Sequence, residues 1–216
     1  MPCDHACATL KDMTQRWWTS DLHLGHENIL HHTHRPYGNI DDMNIDLIER
    51  WNDRVDPEDE VYVLGDVAMG AISEMLKLIG LFHGTKLLVP GNHDRCWEGL
   101  RTKKKSQVDQ WRAEYSAAGF VLLGSEEEIQ LGDRTVTVSH FPYYGDSRET
   151  ERFVEFRPID RGQWLIHGHV HEKWRQRERM INVGVDAWGG VPVAEAELIE
   201  LIDAGPEELP RIVWRR

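Results

Sequence analysis

The chain has 216 residues, 40% of them hydrophobic, enough to bury a sizeable core in one domain. Its 25 basic and 37 acidic side chains leave a net charge of −12, which speaks against a groove for long duplex nucleic acid but not against a small anion held beside metal ions. Cys3, Cys7 and Cys96 are too few and too unevenly placed for a disulfide framework. MPCDHACATLKDM lacks an apolar stretch of signal-peptide length, and no run of apolar residues is long enough to cross a membrane. The expectation is a cytoplasmic protein without membrane contact, with a disordered tail over 1–13 and a single domain over 14–216.

In chain order, RWWTSDL (16–22), EVYVLGD (60–66) and TKLLVPG (85–91) read as short buried strands ending in turn residues. Between the first two, Met43, Leu47, Ile48 and Trp51 fall at helical spacing in 41–55, with Asp41 or Asp42 able to cap. Further helices are expected over 71–82, opening near Ser73, and over 106–118. RTKKK (101–105) reads as a solvated helix entry. FVLLG, EEIQLGDRTVTVSHF and QWLIHGH then read as strands, with a hairpin turn at 131–134, and RERMINVG (177–184) as one more strand. The first half is thus β-α-β-α-β and the second mostly antiparallel β. An α/β core sheet packed on a second sheet, with helices outside, is the architecture expected.

Hard polar side chains follow these strands. Asp21 and His23 come after the first and Asp66 after the second. Asn92, His93 and Asp94 come after the third, His140 after the hairpin, and His169 and His171 after LIH. In open α/β sheets the carboxyl ends of strands are where ligands bind. The i, i+2 pairs Asp21/His23 and His169/His171 would reach one cavity if their segments are extended, since residues two apart then share a side. Asp21, His23, Asp66, Asn92, His140, His169 and His171 are seven candidate ligands without sulfur. That is too many for one structural zinc and suited to two ions such as manganese, iron or zinc. Two such ions are the groups of a two-metal hydrolase, which generates a hydroxide and clamps the attacked group.

The ordered set DLH (21–23), GD (65–66), GNHD (91–94), SH (139–140) and GHVH (168–171) resembles the calcineurin-like metallophosphoesterases. TSDLHLGHENIL, RPYGNIDDMN, WNDRV, VYVLGDVA and INVGVDAWGGVP are similar to a small bacterial and phage branch of them, over about residues 15 to 195. The resemblance implies a two-sheet β sandwich flanked by helices, with four layers in the order α/β/β/α. It implies that Asp21, His23, Asp66 and His171 hold one ion and that Asp66, Asn92, His140 and His169 hold the other, manganese foremost. It further implies in-line attack on phosphorus by a metal-bridging hydroxide, with His93 protonating the leaving oxygen. Two divalent ions, two carboxylates and that hydroxide would leave a local charge of about +1 in an acidic chain. Many relatives carry a second aspartate where this chain has Met69, which leaves the carboxylate that would orient His93 unidentified; Asp94 and Asp186 are the candidates.

His26, Asn28 and Arg35, in the histidine-rich stretch 26–37 expected over the site entrance, are candidate substrate contacts, as are Arg95 and Tyr143. His167 reads as a core residue, and the nine tryptophans as packing. The expected activity is phosphodiester hydrolysis of a phosphoester, nucleotide-like substrates included. Alternatives are a phosphomonoesterase, a single-strand nuclease of the same fold, or a non-catalytic interaction module.

Overall fold

The apolar runs of the first half form strands of four residues each, and helices fill the intervals. β1 (Arg16–Thr19) leads through a short α1 (Ile29–His32) to α2 (Ile40–Asn52), then β2 (Glu60–Val63), α3 (Ile72–Leu76), β3 (Thr85–Leu88), α4 (Lys105–Ala117) and β4 (Phe120–Leu122). The second half comprises β5 (Glu126–Leu131), β6 (Arg134–Ser139), β7 (Leu165–His167), β8 (Gln176–Glu178), β9 (Met180–Asn182), β10 (Val193–Ala194), α5 (Glu195–Ala204) and β11 (Glu207–Leu209). These elements come from a computed structural model describing residues 14–99 and 104–215. The expected tail with Cys3 and Cys7, and Arg101 to Lys103 of the basic stretch, lie outside the described residues. Lys104 and Lys105 do enter a helix: Lys105 opens α4, and the Gln107 side chain accepts the Lys104 backbone N–H at 3.1 Å.

Local chemistry shifts some expected boundaries. The cap of α2 is Asn39, whose side chain accepts the Asp42 N–H at 2.8 Å, rather than Asp41 or Asp42 themselves. The helix expected over 71–82 is α3 followed by a tighter 3-10 turn at Lys77–Leu81, which contains the poor helix former Gly80. RERMINVG is two strands, β8 and β9, paired antiparallel, with the chain reversing where Glu178 takes φ +49°.

Two sheets pack face to face. The first has the order β10-β1-β2-β3-β4, parallel except for β10. The second has the order β11-β8-β9-β7-β6-β5. Strand alternation gives each face of the first sheet its own core. Trp17, Val61, Val63 and Leu88 pack with Met43, Leu47, Trp51, Ile72 and Tyr115 on the helical side. Trp18, Tyr62, Leu64 and Val89 meet Val136, Val138, Ile166 and Ile181 of the second sheet, with Leu198 and Ile202 of α5 joining them. Trp18 stacks on Tyr62 at 4.3 Å between ring centroids. Seven of the nine tryptophans are buried, in keeping with packing roles. This is the expected α/β sandwich of two sheets flanked by helices.

The second sheet is antiparallel at three of its five strand pairings, as expected, but not at its centre. β6 runs parallel to β7, and β7 parallel to β9. That departure positions the site. Antiparallel neighbours would send the segments after β6 and β7 to opposite edges of the sheet. As parallel neighbours they deliver His140 and His169 to the same edge, which is also where β1, β2 and β3 release Asp21, Asp66 and Asn92.

Candidate metal centre

Asp21, His23 and His171 each place a ligand atom within 4.8 Å of the others, and so do Asp21, Asp66 and His140. The two groups share Asp21. Asp66 lies at the seam, its Oδ2 being 3.6 Å from His23 Nε2 and 3.6 Å from His140 Nε2. Asn92 joins through Oδ1, 3.2 Å from His140 Nε2. His169 falls outside both groups: its Nε2 is 3.1 Å from Asp146, and its backbone N–H donates to Asp21 Oδ2 at 3.0 Å. All seven residues are buried.

The i, i+2 pairs are not extended. Asp21, His23, Asp66, His169 and His171 are left-handed, with φ between +52° and +69°, five of the eight such non-glycine residues among those described. One member of each pair, His23 and His171, lines a common cavity, their rings stacked at 5.0 Å between centroids, while Asp21 and His169 do not line it. Left-handed backbone costs energy and persists only where its surroundings fix it. Glycine serves here chiefly to let ligand loops pack on one another. A Cβ on Gly65 would lie 2.4 Å from the Gly91 nitrogen, and one on Gly91 would lie 2.4 Å from Asp66 Oδ1.

Two buried side chains brace these turns from behind. Arg35 grips Asp186 with two bonds of 2.8 and 2.9 Å, and donates to the carbonyls of Asp21 at 2.7 Å and Leu22 at 2.8 Å. Its side chain is wholly buried, so it is a support beneath the site and not the substrate contact expected at the entrance. Asp94 accepts the backbone N–H groups of Asp66, Val67 and Gly91 at 2.8 to 3.1 Å, and the Tyr115 hydroxyl at 3.1 Å. Burial and the neighbouring Asp66 push its pKa up to about 6.

The donor set fits metal ions. Burial, then the nearby His171, pushes His23 well below the ordinary histidine range, and burial brings His169 down to about 4, so both rings are neutral and keep a lone pair. Both ring nitrogens of His23 are buried without a hydrogen-bond partner, a costly arrangement unless something else binds them. His140 Nδ1 lies 2.7 Å from the Leu64 carbonyl, which as a donor to that oxygen leaves Nε2 free to ligate. Burial disfavours a charged His171, yet Asp186 and Asp21 push it up to about 9, so an ion arriving there displaces a proton. His171 Nδ1 stands 3.4 Å from Asp186 Oδ2, though not in hydrogen-bonding geometry. Among the carboxylates, burial raises Asp21, while the charges of His140 and His93 and the His93 N–H outweigh burial at Asp66 and lower it.

His93 stands at the mouth with 37% of its side chain exposed, its Nε2 3.9 Å from Asp66 Oδ2 and its backbone N–H on Asp66 Oδ1 at 2.9 Å. Neither candidate orienting aspartate serves its ring: Asp94 holds backbone, and Asp186 pairs with Arg35 and His171. The mouth opens into a cavity of about 460 Å³ lined by His23, His93 and His171 together with His26, Asn28 and Met69, so His26 and Asn28 do face the site. Arg95 lies elsewhere, its guanidinium 5.7 Å over the Trp111 ring. Tyr143 donates to the Gln163 carbonyl at 3.3 Å and does not line the cavity. His167 is a buried core residue, as expected.

Sequence reasoning missed Asp146. Buried behind His169, it also accepts from Arg152 Nη2 at 2.6 Å and from the backbone N–H groups of Arg148 and Arg152. Burial opposes its ionisation, but the bonds from His169 and Arg152 hold its carboxyl well below the usual range. The available signal was Gly145-Asp146, a repeat of the Gly65-Asp66 pattern a few residues after a ligand.

Comparison with known proteins shows the family of the chain. Residues 18–190 match the calcineurin-like phosphoesterase superfamily domain. The chain is 33% identical over 205 residues to the gene 66 protein of Mycobacterium phage D29, covering 89% of this chain and 100% of that one. An uncharacterized protein of Methanocaldococcus jannaschii is 28% identical over 202 residues, covering 89% of this chain and 94% of its own. A solved structure of a protein of unknown function from Aquifex aeolicus superposes with a TM-score of 0.63 at 25% identity, over 88% of this chain and all of that one. With its family domain matched from before Asp21 to beyond Asp186, the chain belongs to the calcineurin-like phosphoesterase superfamily.

Proposed function

We propose that the protein is a dinuclear metal-dependent phosphodiesterase. The observation that carries this reading is the pair of overlapping ligand groups, Asp21/His23/His171 and Asp21/Asp66/His140, the first of which reaches a cavity beside His93 through His23 and His171. Asp21, His23, Asp66 and His171 would hold one ion, and Asp66, Asn92, His140 and His169 the other. The equal distances from Asp66 Oδ2 to His23 and His140 support Asp66 as the shared ligand. Two divalent ions, manganese foremost, supply a nucleophile from water at neutral pH and neutralise charge on the phosphoryl oxygens. His93 Nε2, exposed at the mouth, delivers a proton to the leaving oxygen, a contribution of about 10²- to 10⁴-fold. The buried loops hold these groups in place before substrate arrives, so little reorganisation is needed during reaction. A cavity of about 460 Å³ leaves room for both ester arms of a diester.

The test is hydrolysis of bis-p-nitrophenyl phosphate beside p-nitrophenyl phosphate, by chelator-stripped protein reloaded with Mn²⁺. Diester turnover that disappears on chelation is the expected result; monoester turnover alone would make the protein a phosphatase. His93→Ala should retain two ions by metal analysis and lose at least about a hundredfold in rate on a poor leaving group. An unchanged rate would remove His93 from the chemistry.

A further inference from the structure

One wall of the cavity is built for something other than the ester under attack. Ser147, Arg148 and Arg152 line it, in the same cavity as His23, His93 and His171. The segment is fixed from beneath by Asp146, which accepts the backbone N–H of Arg148 at 3.0 Å and of Arg152 at 3.1 Å. Arg152 spends its Nε and Nη2 on Asp146, with Nη2 also 3.1 Å from Ser147 Oγ. Arg148 differs. Among the described residues its guanidinium has no hydrogen-bond or ion-pair partner, although it is exposed on a cavity wall beside a second arginine. Glu172 is the one carboxylate side chain among the described residues of that lining.

We propose that Arg148, with the free edge of Arg152, forms a subsite for a second phosphate carried by the substrate, apart from the phosphate at the metal centre. This rests on the phosphodiesterase reading and narrows its substrate class to diesters with an additional phosphate group. Two guanidinium groups match an oxyanion with several acceptor oxygens, and the forked guanidinium binds phosphate through two parallel bonds. A subsite whose backbone is already held by Asp146 loses little freedom on binding. In a chain of net charge −12, a pair of arginines on the wall of this cavity also draws anions toward it locally.

The experiment is equilibrium binding of thymidine 3′-phosphate and thymidine 3′,5′-bisphosphate to the Mn²⁺-loaded protein, scored as the ratio of the two dissociation constants. The wild type should prefer the bisphosphate by about tenfold or more. Arg148→Ala should bring the ratio below about two, and Arg148→Lys, which keeps the charge without the fork, should fall between. No preference in the wild type, or the same preference in Arg148→Ala, overturns the subsite. Because binding is the readout, the outcome is separable from the parent reading. An Arg148-dependent preference in a protein that does not hydrolyse bis-p-nitrophenyl phosphate would sink the diesterase assignment and leave the subsite standing.

Discussion

The two halves of the metal centre solve one problem with opposite charges. Around Asp21 and His23, the left-handed turns leave carbonyl oxygens pointing inward, and the buried cation Arg35 takes two of them. Around Asp66 and Asn92, the loops point N–H groups inward, and the buried anion Asp94 takes three. Each brace has a partner of its own, Asp186 for Arg35 and Tyr115 for Asp94. The two ligand loops pair with one another only in part, Asp21 N–H on the Gly65 carbonyl and His23 N–H on the Asp66 carbonyl, each at 3.0 Å, and side chains satisfy groups that this pairing leaves over. The sign of the side chain follows from which backbone group the turn exposes.

That comparison can be broken at four places. Asp66→Asn, at the seam, should have the largest effect: activity falling by more than about a hundredfold and bound metal dropping from two ions per chain, read by turnover and metal analysis. Full activity with two ions would remove Asp66 as the shared ligand. Arg35→Met leaves Asp186 buried beside only His171, and should cost about 3–5 kcal/mol in denaturant unfolding of the metal-free protein. Asp94→Asn turns an NH₂ group toward backbone donors and should cost about 1–3 kcal/mol in the same measurement. Tyr115→Phe removes one neutral donor and should cost about 1 kcal/mol. Stepwise Mn²⁺ titration sharpens the comparison. Arg35→Met should weaken one binding step and Asp94→Asn the other, each by about 10- to 100-fold. If each variant weakens both steps equally, the braces are not independent.

The candidate ligands could be picked out of the sequence because chemistry and position coincide there: hard side chains beside strand ends recur five times in order. The braces could not. Arg35 sits in a histidine-rich stretch that reads as an exposed rim, and only its 151-residue reach to Asp186 reveals an inward role. Asp94 was visible as part of GNHD, but a carboxylate serving three amides looks in sequence like one serving a histidine. Parallel pairing of β6 with β7 was hidden as well, since strands of six and three residues carry no mark of direction. Asp146 carries a local signal in Gly145-Asp146, but its contact with His169, 23 residues away, is set by the fold.

The five left-handed residues of the candidate site have a consequence for stabilising the fold by design. At roughly 1 kcal/mol each they draw on a large share of the ~5–15 kcal/mol by which folded domains outweigh their unfolded chains. Glycine takes that backbone freely, yet His171→Gly would strip buried Asp21 and Asp186 of a neighbouring cation, and His23→Gly would leave a cavity where a buried ring had been. Backbone relief and lost packing therefore oppose one another at the same positions, and the strain cannot be removed one residue at a time.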